Sequence, residues 1–234
     1  EKIFPGEPVE FINCGMGAYE SRRISSVFEE VLAYGPDLIV VLSGNNENGQ
    51  EFCPGLASEL ARRTRNIRAK LARLTMSAED AAVRTGIALH EERLREMARL
   101  ARAKGVPVVF CTLPANLRDH APSGTLPVEQ LNFVKGSDLL EKKDPAGALN
   151  FFRLNLKRRP REPFSLFYAG RALEALGRTE EAAACYSDAV KYDPASDRCS
   201  ADRNGMIRRV AAEEGGCLAD LERAFSGASK KGIT

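Results

Sequence analysis

A short apolar stretch followed by two side-chain amides is the part of this sequence best suited to chemistry. Leu38–Leu42 is apolar throughout, and Gly44-Asn45-Asn46 follows it closely. Such a run predicts a strand covered on both faces, as in the parallel sheet of an α/β domain. Ligands of open α/β sheets bind beyond the carboxyl ends of the strands. An amide here, beside a glycine, can donate to a ligand, although a turn asparagine with local bonds is the alternative.

Two histidines and one cysteine are the other candidates for acid–base or nucleophilic chemistry. His90 falls on the apolar stripe of a predicted helix, which favours a hydrogen-bonded core histidine over a catalytic base. His120 follows Asp119 in a polar loop, where adjacent side chains diverge, so a dyad of the two is disfavoured. Cys111 lies inside an apolar strand, where buried thiols are commonly inert, so a Cys111–His120 hydrolase is also disfavoured.

Hydrophobic periodicity predicts the elements that position these residues. The order strand, helix, strand, helices, strand indicates a doubly wound α/β domain with right-handed crossovers. The predicted elements are a strand at Val9–Cys14, a helix ending near Ala33, the strand at Leu38–Leu42, an arginine-rich helix with a stripe from Leu56 to Leu74, a helix from a capping box at Ser77 to Gly105, and a strand at Val106–Leu113.

The sequence then repeats with a period of 34 residues. Gly136, Leu139, Ala148, Phe152 and Pro160 recur as Gly170, Leu173, Ala182, Tyr186 and Pro194. This period and these residue types resemble the tetratricopeptide repeat, in which a small residue lets two antiparallel helices approach beside an aromatic ring. Two repeats are fewer than a free-standing array needs, so we expect them to pack on the α/β core. A last short strand is predicted at Cys217–Leu221, which makes the repeats an insertion.

Beyond the repeats, four segments that occur in a fixed order resemble a known family. Together these segments span most of the chain. The segments are Asn13 to Ser21, Pro36 to Glu47, Leu113 to Asp119, and Asp202-Arg203-Asn204 with Ile207-Arg208. With them the chain resembles the SGNH (GDSL-like) hydrolase superfamily, and in particular the bacterial branch that carries tetratricopeptide repeats inside the hydrolase domain.

The resemblance implies an ester hydrolase and assigns roles to matching positions. Asn46 matches the asparagine whose side-chain amide donates to the oxyanion, and Ala18 stands where many members have a glycine that contributes a backbone N–H. Gly44, Asn116 and Arg118 are expected to contact substrate. For Asn116 and Arg118, tying down their own loop is an equal alternative.

The nucleophilic serine and the Asp-x-x-His block of the superfamily have no match in these residues. We expect the serine before residue 1 and the Asp/His pair beyond residue 234, in an esterase, lipase or acetylesterase whose histidine acts as the base. No metal or organic cofactor is implied. The alternative function is a non-catalytic scaffold or protein-binding module that recognises a peptide or partner protein through its repeats.

The fold that the resemblance implies is a three-layer α/β sandwich with a parallel, flavodoxin-like sheet, interrupted by an all-α repeat insertion. The predicted division is a first part of the α/β core at 1–126, the tetratricopeptide-repeat insertion at 127–194, and a last part of the core at 195–234.

Composition excludes some partners. The net charge of +2 is a small difference between 34 basic and 32 acidic residues, so no general attraction to nucleic acid follows. No apolar run approaches the length of a membrane span, so no membrane contact is expected from this segment. Six cysteines without a C-x-x-C pair favour reduced thiols and a cytoplasmic location, whereas an N-terminal anchor outside these residues would indicate the cell envelope.

Overall fold

The computed structural model describes residues 9–47, 78–123, 125–193 and 196–229, which form three short strands and eight helices. The strands are β1 (Ile39–Leu42), β2 (Val108–Cys111) and β3 (Cys217–Ala219). The helices are α1 (Ser21–Leu32), α2 (Ala78–Ala103), α3 (Leu131–Glu141), α4 (Pro145–Arg158), α5 (Pro163–Ala175), α6 (Thr179–Tyr192), α7 (Ala201–Glu213) and α8 (Leu221–Ala228). The predicted stripe from Leu56 to Leu74 and the capping box at Ser77 lie outside the described residues.

The three strands form one parallel sheet in the order β1-β2-β3. Val40 lies beside Val109, and Val109 lies beside Cys217. Helix α2 connects β1 to β2, and helices α3 to α7 lie between β2 and β3 in the chain. The protein is therefore mostly helical, with mixed α/β content, a small parallel sheet and a run of helices inserted between two of its strands.

One hydrophobic core joins the sheet to α1, α2 and α7. Its buried members include Phe28, Val41, Leu94, Met97, Val108, Phe110, Met206 and Ile207. On the opposite face of β1, Val40 and Leu42 are 60% and 58% exposed. Since successive side chains of a strand point to opposite faces, the described residues cover only one face of β1. The prediction that this strand is covered on both faces is wrong for the described part of the chain.

The prediction of a strand at Val9–Cys14 is also wrong. These residues are exposed and belong to no strand. A strand needs a neighbour to satisfy its main-chain hydrogen bonds. Among the described residues, β1 pairs only with β2, so the segment at Val9–Cys14 does not pair with the other edge of β1. The apolar pattern of Val9–Cys14 predicted a strand without identifying the neighbour that it requires.

The inserted helices form two hairpins, α3 with α4 and α5 with α6. In both hairpins a glycine of the first helix packs against an aromatic ring of the second. A Cβ atom on Gly136 would lie 2.7 Å from a ring carbon of Phe152, and one on Gly170 would lie 2.8 Å from a ring carbon of Tyr186. Both aromatic side chains are fully buried. The glycine in each first helix therefore admits the ring of the second helix, as the repeat predicts.

The repeats pack on the α/β core, as expected for so short an array. Helix α6 contacts α2 and α7. Directly after α6, buried Asp193 accepts a hydrogen bond from the main-chain N–H of Ser123 over 2.7 Å and lies 3.7 Å from the guanidinium of Arg198. These contacts attach the end of the second hairpin to the loop that follows β2.

Candidate functional site

The candidate site is the loop Gly44–Glu47, which follows β1 at the carboxyl edge of the sheet. Gly44 has a φ of 144°, a conformation that residues with a side chain rarely adopt. A Cβ atom there would also lie 3.0 Å from the Sγ atom of Cys199. The loop therefore requires glycine at this position, and its main chain lies close to the residues before α7.

Asn46 meets the segment that contains Ala18. The Nδ2 atom of Asn46 donates a hydrogen bond to the main-chain carbonyl oxygen of Tyr19 over 3.3 Å. Tyr19 directly follows Ala18, so two segments that are distant in sequence come together at this edge. A primary amide carries two N–H groups, and this bond uses one of them.

Ala18 is in the left-handed region, with a φ of 62°. This conformation costs an L residue roughly 1–2 kcal/mol, whereas glycine adopts it freely at an entropic cost of roughly 0.5–1 kcal/mol. We expect Ala18→Gly to raise the free energy of unfolding by about 0.5–1 kcal/mol in urea titrations. The control is Ala33→Gly, because Ala33 has an ordinary φ of −72°. This substitution should lower the free energy of unfolding. A loss of stability in A18G would contradict strain at Ala18.

Glu47 joins the loop to the start of α1. Its carboxylate accepts hydrogen bonds from the main-chain N–H and the hydroxyl of Ser21, each over 2.7 Å, and from the Ser43 hydroxyl over 3.3 Å. The N-cap residue of α1, Glu20, makes no side-chain capping bond. Glu47 therefore caps α1 from a different part of the chain, where a carboxylate also interacts favourably with the helix dipole.

Helix α7 and the residue before its cap hold the same loop from the other side. The Arg203 guanidinium donates to the carbonyl oxygens of Gly44 over 3.0 Å and Glu47 over 3.4 Å. The Asn45 side chain accepts from the main-chain N–H of Cys199 over 3.0 Å. Burial raises the pKa of the Cys199 thiol to about 12, so this cysteine is a neutral packing residue.

His90 is fully buried beneath the loop, and its Nε2 atom lies 3.1 Å from the Ser43 hydroxyl. Its Nδ1 atom has no hydrogen-bond partner in the described ranges. Burial, and then the charges of Arg203 and Arg93, lower the pKa of His90. The ring is therefore neutral, and it is the hydrogen-bonded core histidine that the apolar stripe predicts.

This histidine makes stability depend on pH. An unfolded histidine titrates near pH 6.5, whereas the pKa of His90 in the folded chain is lowered. As the pH falls through about 6.5, the unfolded chain binds a proton that the folded chain does not, so stability is lost. We expect this group to lower the free energy of unfolding between pH 7.5 and 5.5, by on the order of 1 kcal/mol.

Denaturant titrations at the two pH values measure this difference. The substitution His90→Gln should remove the pH-dependent loss, whereas His120→Gln, at an exposed loop residue, should retain it. An unchanged pH dependence in H90Q would show that another group is responsible.

The two residues after β2 that are predicted to contact substrate, Asn116 and Arg118, contact other residues of the chain. The Asn116 side chain accepts from the main-chain N–H of Asp119 over 2.9 Å, within its own loop. The Arg118 guanidinium lies 2.9 Å from the carboxylate of Glu174 on α5. The His120 ring lies 3.7 Å from Asp197. These contacts tie down the loop, which is one of the two roles expected for Asn116 and Arg118.

Thiols, groups of metal-ligating side chains and membrane-spanning helices are the other features to consider in the described chain. Cys14, Cys111, Cys185, Cys199 and Cys217 are free thiols. Across the described ranges, no group of three or more His, Cys, Asp or Glu side chains is arranged to hold a metal ion. None of the helices in those ranges is both long enough and apolar enough to span a bilayer.

Comparison with known proteins identifies one segment. Residues 163–196, which begin with α5 and include α6, match the family described as Tetratricopeptide repeat. This match confirms the second repeat predicted from the 34-residue period. No curated protein and no solved structure matched the chain. The segment at 163–196 is thus identified as a tetratricopeptide repeat. It packs against the hairpin of α3 and α4, which has the same glycine–aromatic contact.

Proposed function

We propose that this protein is a protein-binding module that recognises a peptide or partner protein through its helical repeats. The observation that carries the proposal is the tetratricopeptide-repeat match at residues 163–196. Stacked helical hairpins of this type present extended surfaces to their partners. The α/β core then serves as the platform on which the two hairpins stack.

The exposed apolar residues of the repeat region support this function. Val128 and Leu131 are 69% and 65% exposed, and Leu126 is also exposed, so three large apolar side chains lie close together in sequence before and at the start of α3. Exposed apolar residues that occur singly are ordinary, whereas clusters of them mark interaction sites. We therefore place the partner on the α3 side of the repeats.

Site-specific photo-crosslinking tests this proposal. A photoreactive amino acid at Leu131 should crosslink one partner reproducibly, and unlabelled protein should compete for it. The matched control carries the same amino acid at Leu154, an exposed leucine on α4. Equal crosslinking from both positions, or competition-resistant products alone, would contradict a partner site at the start of α3.

Ester hydrolysis is a second candidate function, and the contact between Asn46 Nδ2 and the Tyr19 carbonyl favours it. In this proposal the chain is part of an SGNH-type hydrolase with a three-layer, flavodoxin-like core at 1–126 and 195–234 around the repeats at 127–194. The side-chain amide of Asn46 and the main-chain N–H of Ala18 would bind the oxyanion. Gly44, Asn116 and Arg118 would contact the ester substrate. Segments outside these residues would supply the serine and the Asp/His pair.

Removing the Asn46 amide tests this candidate. In a polypeptide that supplies the serine and Asp/His blocks, Asn46→Ala should lower kcat on an activated acetyl ester by about a hundredfold or more. The unfolding transition should change little, because the amide makes one long hydrogen bond. Asn150→Ala, at an exposed asparagine of α4, is the control. An unchanged kcat in N46A would exclude Asn46 from the mechanism.

A further inference from the structure

A largely buried carboxylate of the second repeat, that of Glu174, forms an ion pair with the side chain of Arg118. Glu174 on α5 is 13% exposed at its side chain, and its oxygens lie 2.9 and 3.1 Å from Nε of Arg118. The same carboxylate accepts a hydrogen bond from the hydroxyl of buried Tyr186 over 3.1 Å. Charge-assisted bonds of this kind are stronger than neutral ones.

The residue before this arginine also packs on the repeats. Leu117 is half-buried against the apolar cluster of the repeats, which includes Phe133, Phe164 and Phe167. Arg118 itself is 46% exposed at its side chain, and the next two residues, Asp119 and His120, are also exposed. Leu117 and Arg118 thus reach the repeats through an apolar contact and a guanidinium–carboxylate pair.

The main chain of this loop is anchored separately. The Arg198 guanidinium donates to the carbonyl oxygens of Asn116 over 3.2 Å and His120 over 2.5 Å. The N–H of Ser123 donates to Asp193. These bonds hold both sides of the Leu117–Arg118 pair without using either side chain, so the contacts of these two side chains are not the loop's sole anchors.

We propose that this surface of the second repeat is a recognition site for a peptide with an apolar residue followed by arginine. In this structure the chain's own Leu117 and Arg118 fill the site, and a partner segment of the same chemistry replaces them when it binds. The inference rests on the proposed protein-binding function and names its ligand class. Arginine is favoured over lysine because its planar guanidinium matches the carboxylate, whereas an ammonium is a point charge.

A peptide titration tests the site in a chain whose own side chains have been removed. The protein carries Leu117→Ser and Arg118→Ser, and the probe is a synthetic peptide with the sequence of residues 114–122. We expect saturable NMR shift changes in the amide signals of α5 and α6. A peptide with alanine in place of its arginine should bind up to about fivefold more weakly, as loss of a partly exposed ion pair implies. The substitution Glu174→Gln should weaken binding of the unchanged peptide similarly.

Absence of saturable changes, or equal binding of both peptides, would overturn the inference. A second measurement uses the unsubstituted chain, in which excess peptide should accelerate hydrogen exchange of residues 116–119 and the alanine-substituted peptide should not. Unchanged exchange with both peptides would overturn the inference as well. Failure of both peptide experiments with retained crosslinking at Leu131 would reject this site alone, whereas loss of specific crosslinking would reject the proposed function.

Discussion

Replacing Gly170 by alanine is expected to lower the free energy of unfolding by about 1–3 kcal/mol, the usual result of overpacking a filled core. The added Cβ would lie 2.8 Å from the ring of Tyr186, which is fully buried. Gly136→Ala should behave similarly, because its Cβ would lie 2.7 Å from Phe152. Thermal and urea unfolding measure both changes.

The control for Gly170→Ala is Gly205→Ala, a helical position in α7 where an added Cβ meets nothing within 4 Å. There alanine should stabilise the protein by up to about 1 kcal/mol through helix propensity alone. Combining Gly170→Ala with Tyr186→Leu should cost less than the sum of the two single changes, because the smaller side chain makes room. A gain of stability in G170A would contradict close packing in the second repeat.

Replacing Asn204 by alanine is expected to cost about 2–4 kcal/mol, because it leaves two buried main-chain groups without their partner. The Asn204 side chain is fully buried on α7. It accepts from the N–H of Leu113 over 2.9 Å and donates to the carbonyl oxygen of the same residue over 2.8 Å. This pair of bonds ends β2 and fixes the start of the following loop.

Chemical denaturation of N204A measures that cost, and Asn150→Ala at an exposed position of α4 is the control. The control should change stability by less than about 0.5 kcal/mol, as surface substitutions usually do. A comparable loss in both variants would show that the bonds to Leu113 contribute little. A loss at least as large is expected for Asn204→Asp, since a buried carboxylate lacks the donor and would face the Leu113 carbonyl oxygen.

The repeats were predictable from sequence because their signal is local and periodic. A glycine in one helix and an aromatic residue in the next recur together after 34 residues, and the structure places each ring against its glycine. The strand at Val9–Cys14 was predicted from equally local evidence, and that prediction failed. A helix satisfies its main-chain hydrogen bonds within one segment, whereas a strand depends on a neighbour that the local pattern does not reveal.

The candidate site was only partly predictable for the same reason. Asn46 and Ala18 were selected by motif, but the side chains that hold their segments in place were not. Glu47 bonds Ser21 across 26 residues, and Arg203 bonds the Gly44 carbonyl across 159 residues. No periodicity links positions so far apart. The available signal was the resemblance, whose segments include Ser21, Glu47 and Arg203 but which assigned these residues no role.

The structure connects the repeats to the candidate site through the loop that follows β2. Arg118 in this loop bonds Glu174 on α5, while Leu113 at its start bonds Asn204 on α7. Helix α7 in turn holds Gly44 and Glu47 through Arg203. The loop that bonds the second repeat through Arg118 is therefore fixed at its start to the carboxyl edge of the sheet.

Hydrogen exchange with and without the partner crosslinked at Leu131 tests the central claim most directly. If the repeats recognise the partner, exchange should slow at residues 126–141 and 163–175, while residues 42–47 exchange at the same rate in both states. Slower exchange confined to residues 15–20 and 44–47, with the repeats unchanged, would contradict the claim. That result would place recognition at the edge of the sheet instead of on the helical hairpins.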